Sequence, residues 1–333
     1  MKSMRSSSWI ERLLGLDPVL PAPHVFALDR HELRYGSFHR TPQGWVFETS
    51  RREPLPEGLM AAGVLGGPLR APKLLWELLQ RFVATVPGPI AEASLVLPDD
   101  WLRIVFTESA ELPRGRKERD EVLRFKLKRL VPFRVEELRL AATEVTPFPH
   151  QQEPKRLLIG FAIETLMAQL EDAFLGVGIE LGQITNNTLA FLAGLEPLVA
   201  ADELAALVLV EPEGYTLSYL YGGELLLYRY KSYGEETAAG DERHGAADAG
   251  AVRRDLRLTR TFLGERFPQR RLSRVFLAAP PAGEASWLDR LADELDAAAE
   301  PLGFEHFSLA RTQASESWQV TGPLLGAASI EVS

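Results

Sequence analysis

Apolar positions along the chain follow two rhythms, a period of two and a period of three to four, and the switches between them outline an α/β protein. Residues 24–29, 33–40 and 45–50 are short apolar runs broken by turn residues, which predicts a three-strand meander. Residues 74–83 set Leu74, Leu75, Leu78, Leu79 and Phe82 at helical spacing, and Pro87-Gly88-Pro89 ends that helix. The most patterned stretch runs from 93 to 147. It reads as a strand at 94–97, a Pro98-Asp99-Asp100 turn, a strand at 101–106 and a charged helix at 117–131, followed by a Pro132-Phe133 corner and a strand at 138–145. Val122, Leu123, Leu127, Leu130 and Val131 are the apolar positions of its helix. A strand at 157–163, a helix at 165–175 and a strand-to-helix segment at 183–195 complete the first half.

The second half opens as the first does. Runs at 206–210, 215–221 and 224–230 form another meander, with the turn Glu211-Pro212-Glu213-Gly214 and the diglycine Gly222-Gly223 between them. A basic amphipathic helix at 252–262, a strand at 272–277, a helix at 287–295 and a short terminal helix at 322–328 follow. The halves share an architecture without residue identity. The expected division is an amphipathic segment and linker at 1–22, a first lobe at 23–200 with an inserted subdomain at about 110–180, and a second lobe at 201–333. Residues 8–16 read as a short helix capped by Ser8 with Trp9, Ile10, Leu13 and Leu14 on one side. It either packs on its own domain or docks on a partner or membrane surface.

Composition narrows the function classes. With no cysteine among 333 residues there are no disulfides, thiolate metal sites or cysteine nucleophiles. A net charge of -9 argues against a nucleic-acid binder, whose affinity rests on neutralising phosphates. No apolar run approaches a membrane span, so a soluble chain is expected. The six histidines never pair at metal-ligand spacing, and no GxSxG, P-loop or GxGxxG occurs. The carboxylate pairs Asp99-Asp100, Glu136-Glu137 and Glu235-Glu236 read as solvated turns and loops rather than acid–base machinery. One charge feature stands out: residues 114–139 carry ten basic side chains against five acidic ones. That is either a solvated helix face or a surface for anionic lipid or an acidic partner segment.

The order of these pieces resembles the PilM family, the actin-like cytoplasmic proteins of type IV pilus inner-membrane platforms. The resemblance is carried by Leu97-Pro98, Arg103-Ile104, Leu112-Pro113, the Glu- and Arg-rich helix, Pro132-Phe133, Glu136-Glu137-Leu138 and Gly176-Val177-Gly178-Ile179. It is clear over 93–195 and faint outside. It implies an α/β, two-lobed actin-like fold with an inserted α/β subdomain, related to the GspL cytoplasmic domain and FtsA. It also implies a non-catalytic cytoplasmic scaffold, peripheral to the inner membrane, that binds the tail of a PilN-like single-pass membrane protein beside the inserted subdomain. Arg124, Lys128, Phe133 and Arg134 are the partner-binding residues expected there, with Phe133 either an interface anchor or a core residue. In nucleotide-binding relatives three glycine-bearing turns close on the nucleotide. Here they carry Asp29 followed by Arg30 and His31, Glu211 with Pro212 before Gly214, and Ala279 before Pro280. These degenerate positions lead to an expectation of no cofactor and no metal; the alternative is an actin-like ATPase or kinase using ATP with Mg.

Overall fold

The computed structural model describes residues 23–41, 44–60, 64–86, 88–108, 113, 115–131, 134–145, 156–195, 200, 202–222, 224–233, 249–268, 270–303, 306 and 318–328. The helix expected at 8–16, the Pro132-Phe133 corner, the loop at 147–154 and the acidic stretch at 234–248 lie outside these. Two compact units emerge: the described residues up to Gly194 together with the C-terminal helix, and Leu195–Phe307.

The first unit is built on a five-stranded sheet in the order β3-β2-β1-β4-β8. Strands β1 (His24–Leu28), β2 (Glu32–Thr41) and β3 (Gly44–Pro54) form the antiparallel meander, while β4 (Glu92–Leu97) and β8 (Glu180–Asn186) run parallel to β1. Val25 through Leu28 are all buried, as a central strand covered on both faces requires. On one face Phe26, Tyr35, Phe82 and Phe174 meet edge-on or tilted at centroid distances of 5.0–5.8 Å. These rings lock the sheet to helices α1 (Pro72–Val83) and α3 (Glu164–Leu175), which pack on each other. Gln169 of α3 accepts from the Leu69 amide at 2.7 Å and donates to its carbonyl at 3.3 Å, pinning the chain that leads into α1.

Helix α4 (Asn187–Leu195) follows β8, and α7 (Trp318–Ala328) packs on β1, β2 and β4 with Leu324, Leu325, Ala327 and Ala328 buried. A Cβ on Gly326 would stand 2.0 Å from the Ala190 carbonyl oxygen, so only glycine lets α7 approach α4 this closely. The terminal helix was expected in a lobe at 201–333; it belongs instead to the first unit.

A second, three-stranded antiparallel sheet in the order β5-β7-β6 stands within the first unit. It comprises β5 (Arg103–Glu108), β6 (Leu138–Val145) and β7 (Arg156–Ile163), with helix α2 (Arg116–Leu127) against it. Its core is Leu123, Leu127, Val135, Leu138, Leu157, Ile159 and Phe161, completed by Leu65 from outside the insert. The insert therefore spans 103–163 rather than about 110–180, because Leu166, Met167, Leu170 and Phe174 of α3 belong to the main core. Arg139 on β6 clasps the two parts, bonding Glu164 at 2.6 Å and Glu171 at 2.5 Å on α3. That guanidinium lowers the Glu164 pKa.

The turn between β4 and β5 overturns the solvated reading of its two aspartates. Asp99 is 0% and Asp100 4% exposed. Asp99 accepts from the Thr188 amide at 3.1 Å and from the Thr188 hydroxyl, at the N-terminus of α4. Asn186 adds a side-chain cap, accepting from Leu189 N at 2.9 Å while donating to the Leu102 carbonyl at 2.9 Å. Asp100 pairs with Arg30 at 3.0 Å; burial nevertheless pushes its pKa up. Trp101, expected to begin the strand, is a fully buried turn residue. A Cβ on Gly66 would lie 2.8 Å from its indole. Replacing Asp99 by Ala leaves buried donors of α4 unpaired and should cost roughly 1–3 kcal/mol, read as a drop of several degrees in the midpoint of thermal unfolding.

The second unit repeats the plan in the order β11-β10-β9-β12-β13. Strands β9 (Leu204–Glu211), β10 (Gly214–Tyr221) and β11 (Glu224–Ser232) are the antiparallel meander, and β12 (Arg274–Ala278) and β13 (Ala298–Pro301) add in parallel. Helices α5 (Ala249–Arg266) and α6 (Pro281–Leu295) pack together. Asp255 of α5 ties the meander down: it accepts from the Tyr215 hydroxyl at 3.1 Å and pairs with Arg229 at 2.7 Å, and Arg229 also donates to the Thr259 hydroxyl. Glu203, before β9, bonds Arg274 at 2.8 Å and the Ser273 hydroxyl at 2.7 Å, which lowers its pKa from 4.5 to about 2. A depressed carboxylate stabilises the fold above its unfolded pKa and stops doing so as the pH falls through its folded one. Wild type should therefore lose its stability advantage over Glu203→Gln between pH 4.5 and about 2, as thermal unfolding against pH will show.

Candidate functional site

The turns that would face a nucleotide come first. Asp29 stays within its own turn: one oxygen accepts from the His31 and Glu32 amides at 2.7 and 2.9 Å, and the other from Arg34 at 2.7 Å. Those amides are the donors that a phosphate in this turn would use, and a carboxylate already holds them. The side chain of Arg30 turns to Asp100, with its guanidinium 5.9 Å from the Trp101 ring.

Glu211 and Gly214 pair across the β9–β10 turn. Glu211 is buried, and its charge, after burial itself, raises the pKa of Tyr233. Gly214 answers to packing: a Cβ there would stand 2.2 Å from the Lys231 carbonyl oxygen and 2.7 Å from the Tyr230 hydroxyl. Ala279 is buried at the end of β12, where Pro280 is the N-cap of α6 and Pro281 its first residue. Neither proline has an N–H, so the start of α6 offers an anion two donors fewer than an ordinary helix.

The inserted subdomain presents a different kind of site. A groove of about 850 Å³ runs along the outer side of α2 beside the end of β5. Val122, Phe125 and Leu130 form its apolar bed with Thr107 and Pro113. Glu118 and Glu121 stand toward one end of the helix, and Lys126 and Arg129 toward the other. Phe125 is 68% and Leu130 48% exposed, although both are large and apolar. An uncovered phenyl ring beside Leu130 makes an exposed apolar patch on this helix.

Of the residues expected to bind a partner, Arg124 donates to the Val135 carbonyl and so supports the turn that follows α2. Lys128 is exposed, and Arg134 pairs at the surface with Glu137 at 3.1 Å. Phe133 lies outside the described residues. At about 100° per residue, Arg124 points about 100° around α2 from Phe125, whereas Lys128, three positions after Phe125, is its neighbour on the same side. Leu130, expected as an apolar position of a helix running to 131, is exposed, and α2 ends before it at Leu127. What was missed was readable: Phe125 is an apolar residue between Arg124 and Lys126, off the Leu123/Leu127 face.

No protein-family model matches the chain, and no curated protein is significantly similar to it. A solved PilM-PilN type IV pilus biogenesis complex matches at a TM-score of 0.70 with 18% identity, covering 95% of this chain and 98% of that one. The fold is PilM-like. A Bacteroides thetaiotaomicron protein with an actin-like ATPase fold matches at 0.48 with 8% identity, over 85% of this chain and 91% of its own. The cytoplasmic domain of EpsL from the Vibrio cholerae type II secretion system matches at 0.45 with 10% identity, over 92% and 93%. Both fall below 0.5 and add no weight. Among the described residues no helix is long and apolar enough to cross a membrane, and no group of His, Asp or Glu could hold a metal ion.

The occupied amides of the Asp29 turn and the missing donors at Pro280 and Pro281 give a direct expectation. Calorimetry with ATP and magnesium should show no binding as tight as the low micromolar range, about -8 kcal/mol. A titration reaching that affinity would contradict it.

Proposed function

We propose that this protein is a non-catalytic scaffold of a type IV pilus or type II secretion-like inner-membrane platform. It works at the cytoplasmic face of the inner membrane and holds the N-terminal tail of a PilN-like single-pass membrane protein. The observation that carries this reading is the uncovered apolar groove on the inserted subdomain of a PilM-like fold. A binding groove is what a scaffold needs, and a catalytic constellation is not. The rival reading, an actin-like ATPase, would have to draw phosphate donors from turns in which Asp29 takes two amides and Pro280 and Pro281 supply none.

The tail docks on the inserted subdomain. Phe125 and Leu130 anchor its apolar residues, and the basic set at the C-terminal end of α2, which includes Lys128, meets its acidic ones. Arg134 borders this surface, while Arg124 supports it from behind through Val135. Because Leu65 fills the insert's core and Arg139 clasps it to α3, the groove is presented on a braced element and its binding geometry is fixed in advance.

The full chain should bind the N-terminal tail of the PilN-like protein of its own organism. Phe125→Asp with Leu130→Asp should weaken that binding at least about tenfold, a loss of about 1.4 kcal/mol, while the unfolding midpoint moves by no more than about two degrees. Undiminished binding by this variant would rule the groove out as the site of the tail.

A further inference from the structure

Helix α6 buries a cation that no described carboxylate neutralises. Arg290 is 6% exposed, and its contacts among the described residues are a hydrogen bond donated to the Ser286 hydroxyl at 3.4 Å and the face of Trp287, whose ring centre is 5.0 Å from the guanidinium carbon. The acidic groups of the two helices are committed elsewhere: Asp255 of α5 holds Arg229 and Glu294 of α6 holds Arg257, each at 2.7 Å. Burial, and after it the charge of Arg253, push the Arg290 pKa down. Nη1 of Arg290 and Nε1 of Trp287 are both buried donors without a hydrogen-bond partner. Trp287 leans on Tyr215 at a ring separation of 5.3 Å, and Tyr215 stacks on Tyr233 at 6.1 Å. One guanidinium, one indole and two phenols thus share a corner between α6 and the meander of the second unit.

We infer that this corner is a binding site for a singly charged carboxylate seated on the Arg290 guanidinium. A water molecule would satisfy an N–H group there, but it would leave a positive charge uncompensated in a buried place, which is the larger penalty. A carboxylate removes both penalties at once. Its two oxygens match the planar fork of a guanidinium, and the Trp287 indole is a further donor in the same cluster. The charge of the ligand is limited from the tyrosine side. Glu211 and Glu213 both raise the Tyr233 pKa, Glu211 the more strongly, so the repulsion there is twice as large for a dianion such as phosphate as for a carboxylate. Ser286, which accepts from the guanidinium, is exposed, so the site lies next to solvent. It uses no residue of the groove on α2 and stands or falls separately from the scaffold reading.

The test follows the unfolding midpoint of the full chain in sodium chloride, sodium acetate and sodium phosphate at neutral pH and equal ionic strength. Acetate should raise the wild-type midpoint above its value in chloride by about two degrees or more, reaching a plateau, because a ligand held only by the folded state stabilises it. Arg290→Met should lose that response and, in chloride, keep or exceed the wild-type midpoint, since an apolar side chain in place of an uncompensated buried charge is neutral or stabilising. General salt effects act on both proteins and cancel in the comparison. An acetate response no larger in wild type than in Arg290→Met would overturn the inference. So would a midpoint several degrees lower for Arg290→Met in chloride, which would make Arg290 a packing element of the fold. Saturation-transfer NMR of acetate with wild type needs no variant, and absence of transfer would overturn the inference as well. A higher plateau in phosphate than in acetate would overturn the assignment to a single charge.

Discussion

One buried carboxylate holds the first unit together. Asp99 sits at the N-terminus of α4 with the amide and hydroxyl of Thr188 as donors, in the position where the helix dipole most favours a negative charge. Its neighbours extend the hold. Asp100 reaches back to Arg30 in the β1–β2 turn, Trp101 lies under Gly66, and Asn186 joins the Leu102 carbonyl to the start of α4. Four consecutive residues thus fix a strand turn, a helix start and the loop whose Leu65 fills the insert's core. Removing one donor or acceptor from such a set costs more than an average hydrogen bond yields, because its partner stays buried and unpaired.

The same turn shows where sequence pattern is readable and where it stops. Strand β6 and both meanders follow from alternation and turn residues, and α1 from five apolar positions at helical spacing, because local spacing fixes local structure. A Pro-Asp-Asp turn looks solvated by composition. Its burial depends on Thr188, 89 residues away, and no local rule encodes that contact. The order of short motifs carried the fold further than any one of them, since the PilM-like arrangement is one of sequence order. The candidate site was half legible. The basic stretch at 114–139 is plain, but Arg124 belongs to the fold and Phe125 to the surface, a difference of one position around a helix.

Charge is distributed by unit and by element. In each unit one basic helix carries exposed apolar side chains, Phe125 on α2 and Leu258 on α5, within a chain that is acidic overall. The part-buried ion pairs do different work: Asp255 with Arg229, Glu203 with Arg274 and Asp100 with Arg30 join elements far apart in sequence. Buried ion pairs add little net stability over apolar packing, yet each penalises a wrong alignment by leaving a charge stranded.

The C-terminal helix lies against β1, β2 and β4, the first strands to be made, and Gly326 closes on Ala190 of α4. Synthesis therefore inverts the usual order in which N-terminal domains finish first. The contiguous second unit has all of its described strands before residue 302, while one face of the first sheet waits for α7 to leave the ribosome. Until then the exposed side of β1 is a liability for a nascent chain, and it lasts at least as long as the synthesis of everything between β1 and α7.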